Sequence, residues 1–277
     1  MSDAGCRVRL VLGTLVLAAM AREGAAQSAA AEIATGTNIP VAAGATLELQ
    51  AVNGEASFLS GPGDQVVVEY ARDVPADVKI VTLTTPDGVT VCTVYASSNP
   101  KTPTECLPGG KGRLAAGKAK DHSRVRFRIR VPSGVHVAAT IGEGDLKSSG
   151  IVGNLRFYSN NGYVLVHDGG GPGTIDAGVG LLGNIDAVIA KAQKGPGLRQ
   201  VRLKTVGSGN VRVAMPTTVG ASYIIATQRP AAIDKAFGVE KVSPPSLIGH
   251  LGPSGDSYLR LDVDTGIAGQ FILLPAK

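Results

Sequence analysis

Residues 144–187 read GDLKSSGIVGNLRFYSNNGYVLVHDGGGPGTIDAGVGLLGNIDA. A five-residue unit recurs in this stretch: glycine, any residue, apolar, polar, apolar. It starts at Gly144, Gly153, Gly162, Gly173 and Gly183, returns at Gly209, and has an earlier copy at Gly54. Ser148 and Leu165 are the imperfect fits. Period-2 alternation makes each unit a short strand with one inward face. A short regular period means that units stack to bury faces they cannot bury alone. Glycine marks the corner, where a positive φ or a close backbone approach is needed. Two units then make one coil, stacked at about 4.8 Å per coil as in a parallel sheet. The fold class expected is all-β, a parallel β-solenoid or β-helix-like stack of short Gly-cornered strands. The competing arrangement is a meander of antiparallel hairpins, because NG and GN corners also make hairpins.

The register assigns Leu146, Leu155, Phe157, Val164, Val166, Ile175, Ile185, Val211 and Val213 to the interior. It assigns Lys147, Arg156, Asp176, Asp186 and Arg212 to the outside. Arg156 and Asp176 hold the same slot two units apart, so they are expected on neighbouring coils of one face.

Outside the repeat, Leu47 to Tyr70 alternates, with turns expected at Asn53-Gly54 and at 61–64. Val78 to Val94 is strand broken by Pro86-Asp87-Gly88. Ser97 to Asp121 reads as a long Gly/Pro/Lys loop, and Arg124 to Val131 as a strand. Weak helical signals lie at Asp186 to Gln193 and Ala231 to Phe237.

The N-terminal segment reads as a secretory signal peptide, 1–26. Arg7 and Arg9 precede an apolar run, Leu10 to Ala21, too short to span a bilayer, and small residues follow it. Residues 27–39 read as a flexible lead-in and 40–277 as the folded domain. No other long apolar run exists, so no transmembrane segment is expected in the mature chain. Losing the signal removes three bases (Arg7, Arg9, Arg22) and two acids (Asp3, Glu23), leaving +4 of the chain's +5. Cys6 leaves too. The remaining pair, Cys92 and Cys106, suggests a disulfide in an exported chain, holding the basic loop beside the arginine strand.

The Gly-cornered strands carry a resemblance. So do Asp87-Gly88-Val89-Thr90-Val91-Cys92 with a second Cys in the following loop, and the strand ending Arg130-Val131-Pro132. The chain resembles the putative-adhesin domain family of bacterial envelope proteins over about residues 40 to 275. That family's Thr-Val-Asn-Gly-x-Val strand entry stands here as Ala51-Val52-Asn53-Gly54 and Asn160-Asn161-Gly162. It is degraded at Thr140 to Gly144 and Thr205 to Gly209. The resemblance implies a β-solenoid, export to periplasm or cell surface, and no catalytic residues.

The chemistry is sparse. No nucleophile elbow, P-loop, HExxH or dinucleotide fingerprint occurs. His122, His136, His167 and His250 lack ligand spacing, so no metal and no cofactor is expected. Carbohydrate-active chemistry on a solenoid, a polysaccharide lyase or hydrolase, needs clustered acids and a base. Asp168, Asp176 and Asp186 are the candidates, but Asp176 and Asp186 sit on strands facing different sides. The expectation is therefore a protein that is not an enzyme. The strongest feature is basic: Arg124, Arg126, Arg128 and Arg130 share one strand face. Lys101, Lys111, Arg113, Lys118 and Lys120 precede them. Like charges on one face repel unless an anion or acidic side chains lie opposite. Anionic envelope polymers or lipid headgroups are the partners implied. Nucleic acid is not expected, because no aromatics interleave the bases. The plain alternative is a solvated edge strand whose charge blocks aggregation.

Overall fold

Alternation in the sequence becomes alternation in burial. Val125, Phe127, Ile129 and Val131 are buried while Arg126, Arg128 and Arg130 are exposed. The structure is a computed structural model that describes residues 33–71, 76, 78–96, 105–111, 123–171, 173–189, 199–239, 246–251 and 259–276. The expected signal segment lies outside these residues, as do Lys101, Arg113, Lys118, Lys120, Asp121 and His122. Residues 31–277 pack as one unit. It is all-β, a single curled 18-stranded sheet rich in parallel pairs, with no α-helix among the described residues.

Two ladders run through the sheet. The first stacks β4 (Val78–Thr85), β5 (Gly88–Tyr95), the first half of β2 (Thr46–Ser60), the first half of β7 (His136–Ile151) and β8 (Leu155–Asn161). It continues through β10 (Gly173–Leu182), β12 (Arg199–Thr205), β17 (Leu259–Asp264), β14 (Ala221–Ala226) and β16 (Ser246–Leu251). The second stacks β1 (Ile33–Pro40), β3 (Gln65–Ala71), β6 (Val125–Val131) and the second halves of β2 and β7. It ends on β9 (Val164–Asp168), β11 (Ile185–Val188), β13 (Val211–Met215), β18 (Phe271–Pro275) and β15 (Ala232–Ile233). Interior pairs are parallel. The antiparallel pairs, β4 on β5, β16 on β14, and β1 on β3 on β6, lie toward the ends of the ladders.

Every residue assigned to the interior by the repeat is buried: Leu146, Leu155, Phe157, Val164, Val166, Ile175, Ile185, Val211 and Val213. Side chains from the two ladders share one core. Phe58 and Phe157, on opposite ladders, meet with ring centroids 5.2 Å apart. Each such burial contributes roughly 1.5–3 kcal/mol of transfer free energy. Ser148 takes an inward slot between Phe58 and Val166, and its hydroxyl has no hydrogen-bond partner among the described residues. Arg156 and Asp176 are register partners on adjacent strands, as the two-units-per-coil spacing requires.

Alternate glycines of the repeat stack into a column where the first ladder turns into the second: Gly54, Gly144, Gly162, Gly183, Gly209 and Gly269. A Cβ on Gly144 would lie 1.7 Å from the Gly54 carbonyl oxygen, and one on Gly183 would lie 1.7 Å from that of Gly162. The φ of Gly183 is +144°, so sterics and backbone both demand glycine there. The residue after the corner is not arbitrary. Asp145 accepts from the Tyr163 amide, Asn184 from the Asn210 amide and Asn210 from the Gln270 amide, at 2.9–3.1 Å. The threonine of the strand-entry motif bridges its own corner, Thr205 Oγ1 donating to the Gly209 carbonyl at 3.2 Å.

Several expectations are corrected. Asn53-Gly54 is not a hairpin turn, because β2 runs unbroken through it and only bends at Gly54. The expected lead-in already carries structure from Ile33. β1 pairs with β3, Ile39 is buried, and Gly36 lies flat against the Val68 carbonyl. The described start of the helical candidate at Asp186 is strand β11, held by parallel neighbours on both sides. At Ala231 to Phe237 only one 3-10 turn forms, Lys235–Phe237, capped by the Asp234 side chain and Gly238.

Candidate functional site

The outward rows of the two ladders carry the polar chemistry. On the second ladder, Arg124, Arg126, Arg128 and Arg130 are all exposed, on one side of β6 and the residue before it. The neighbouring strands supply two acids. Glu69 on β3 holds Arg130 at 2.6 Å, and Glu55 on β2 reaches Arg124 at 4.0 Å. Arg126 and Arg128 make no ion pair among the described residues. The arginines thus form one strip, in which Arg130 alone has an ion pair shorter than 4.0 Å among the described residues.

The Cys92–Cys106 disulfide is present, with Cα atoms 5.8 Å apart. The described part of its loop, Glu105 to Lys111, lies elsewhere than expected, and the rest of the basic loop lies outside the described residues. Glu105 to Lys111 folds over the outer face of β2 and β5, on the first ladder, away from the arginine strip. The anchors are side chains of β2. Gln50 Nε2 donates to the Leu107 carbonyl at 2.7 Å, and the Glu48 carboxylate accepts from the Gly109 and Gly110 amides at 2.8 and 2.7 Å. Glu48 also takes the Thr90 hydroxyl at 3.0 Å. This explains why Gln50, Thr90 and Cys92 are buried although their slots face outward.

Beside the loop, the central outward row of the first ladder reads Thr90, Glu48, Ala138, Arg156, Asp176, Arg202, Asp262, Ile224. Charges alternate along it except at Ala138, where the row has no side chain beyond Cβ. The result is a groove of about 520 Å³ walled by the loop, with Lys111, Asp87, Thr140 and Arg156 on its rim. It continues into a second hollow of about 320 Å³ lined by His136, Asn154, Thr174, Asp176 and Arg202. The two share Thr46, Ala138 and Arg156. Arg156 and Arg202 are exposed and make no ion pair among the described residues. His136 Nδ1 is occupied, accepting the Asn154 amide at 3.1 Å.

The candidate acids do not come together. Asp168 is buried at the end of β9, paired with Arg199 at 2.7 Å and accepting the Gly170 amide. Asp176 faces outward from the first ladder. Asp186 faces outward from the second, where it accepts the Tyr163 hydroxyl and lies 3.7 Å from Arg212. Burial, and then the Asp186 hydrogen bond, hold the Tyr163 phenol well above its usual range. Among the described residues no three His, Cys, Asp or Glu side chains converge as metal ligands. No described helix is long and apolar enough to cross a membrane. Sequence reasoning missed the groove, because Glu48 and Gln50 are far in sequence from the loop they hold. The one local signal was the small residue at 138 between charged neighbours in the repeat.

No family model matches the chain, and no curated protein matches it. Among solved structures it is similar to a putative cell adhesion protein from Clostridium sporogenes, at 10% identity and a TM-score of 0.47. That match covers 88% of this chain and 98% of the other. It is also similar to a putative adhesin from Bacteroides fragilis, at 10% identity and TM-score 0.21, covering 88% and 97%. A putative adhesin from Parabacteroides merdae matches at 10% identity and TM-score 0.21, covering 86% and 95%.

Proposed function

We propose that this is an exported, non-enzymatic envelope protein built as a β-solenoid, and that its arginine strip attaches it to an anionic envelope polymer in an adhesin-like role. The observation that carries the reading is the strip itself. It holds Arg126 and Arg128 exposed and without an ion pair among the described residues, although Glu55 and Glu69 are their register neighbours, because Glu69 turns to Arg130 and Glu55 reaches only toward Arg124. Exposed guanidiniums in a row along one strand favour a ligand with repeated anionic groups over a single small ion. The disulfide supports an oxidising compartment. Scattered placement of Asp168, Asp176 and Asp186 gives no support to lyase or hydrolase chemistry. The test is co-sedimentation of the protein with phosphatidylglycerol vesicles and with a soluble polyanion across a salt series. Arg126→Glu with Arg128→Glu should weaken binding at low salt and flatten its salt dependence without changing the circular dichroism spectrum. Equal binding by the double variant removes the strip from the function.

A further inference from the structure

The groove beside the disulfide loop lies on the other ladder from the arginine strip and has a chemistry of its own. Its floor is Ala138, in register with Glu48 on one side and Arg156 on the other. Glu48 is already satisfied by two loop amides and the Thr90 hydroxyl, so its charge is spent inward on the loop. Asp176 has an arginine register partner on each side, Arg156 and Arg202. Asp87 stands on the hairpin turn at the rim. Arg156 makes no ion pair among the described residues: it shares its register neighbour Asp176 with Arg202 and has a bare methyl group on its other side. Lys111, exposed at the end of the clamped loop, lines the same space. The slot above Ala138 therefore suits a planar anion reached by a guanidinium and an ammonium.

The rest of the groove says what carries that anion. Thr46, Thr140, Asn154 and Thr174 line its length with hydroxyl and amide groups. No Phe, Tyr or Trp is among the described residues that line either hollow, and the floor is sheet face, with no free strand edge among the described residues to which a peptide could add. Hydroxyl-rich walls with one fixed cationic point match a polyol that bears a carboxylate. We propose that the groove binds a uronic-acid saccharide, with one carboxylate over Ala138 between Arg156 and Lys111. The Cys92–Cys106 bridge then has a function beyond stability, since it holds the wall that carries Lys111.

The test is calorimetric titration of the intact protein with trigalacturonate, with the neutral trisaccharide maltotriose and inorganic phosphate alongside. Trigalacturonate should bind, and maltotriose should not bind at the same concentration. Arg156→Gln should weaken binding at least tenfold, the loss of one charge-assisted hydrogen bond. Ala138→Asp should abolish it, because the new carboxylate fills the slot and pairs with Arg156. Arg156 is exposed, so Arg156→Gln leaves a folded protein even if Ala138→Asp does not. Arg126→Glu with Arg128→Glu should leave trigalacturonate binding unchanged, which separates this site from the strip. Equal binding of maltotriose, undiminished binding by Arg156→Gln, or no binding of trigalacturonate overturns the proposal. Phosphate binding as tightly as trigalacturonate would overturn the saccharide assignment and leave an oxyanion site.

Discussion

Replacing Gly183 by alanine puts a methyl group into the glycine column, and its cost can be worked from the contacts there. The new Cβ would sit 1.7 Å from the Gly162 carbonyl oxygen. To reach ordinary van der Waals separation the two strands must part by roughly 1.5–2 Å. That movement breaks the hydrogen bonds on either side of the corner, Gly162 N to Leu182 O at 2.9 Å and Val164 N to Asn184 O at 3.0 Å. Each group left unpaired costs about 1–3 kcal/mol. Alanine at φ +144° adds about 1–2 kcal/mol of backbone strain. Counting each broken bond once, the total is about 3–8 kcal/mol, a large share of the 5–15 kcal/mol that holds a typical domain. Gly44→Ala is the control: its φ is +85°, but nothing lies within 4 Å of the added methyl. It should cost only the backbone part, about 1–2 kcal/mol. Urea unfolding followed by circular dichroism measures both. Gly183→Ala unfolding at the same midpoint as Gly44→Ala would refute the column as a close-packed backbone contact.

Three further outcomes are expected. Ser148→Ala removes a buried hydroxyl that has no partner among the described residues; it should raise stability by about 1 kcal/mol in the same denaturant assay. Asp168→Asn leaves the buried Arg199 guanidinium without its ion pair and should cost about 3–5 kcal/mol. The raised phenol of Tyr163 means that the folded protein keeps this proton after the unfolded chain has lost it. Its contribution is therefore intact below pH 10 and declines as pH rises above about 10. Ultraviolet titration should find Tyr163 ionising above the usual tyrosine range, and Asp186→Asn should bring it earlier.

Much of the burial pattern was legible because a strand's period is short and local. Leu155 and Phe157 announce an inward face by their spacing alone, and Arg126 and Arg128 an outward one. The order of the strands was not legible, because alternation says which way a side chain points and nothing about which strand lies beside it. β17 and β18 come late in the chain yet lie between β12–β13 and β14–β15. Gly269 belongs to the column but escaped the repeat, since Ile272 fills the slot where a polar residue was required. The strip was visible in the sequence, whereas its partners Glu55 and Glu69 were not, because they arrive from strands at the other end of a long connection. The groove was the least legible feature. It exists only where a disulfide loop, a β2 carboxylate and an alanine of β7 are brought together by stacking.

The late insertion of β17–β18 also sets a timetable. A chain made from its N terminus completes β12 and β13 first, and then β14 and β15, which dock on strands that do not yet exist. Until residues 259–275 arrive, the first set presents an open parallel edge, and β14 has β16 beside it but not the strand that joins it to β12. Of these strands β17 and β18 are made after all the others, so they act as the keystone between the two sets. Removing β18 takes the partner from both β13 and β15 at once, so a chain lacking it should be far easier for proteases to destroy than its lost length suggests.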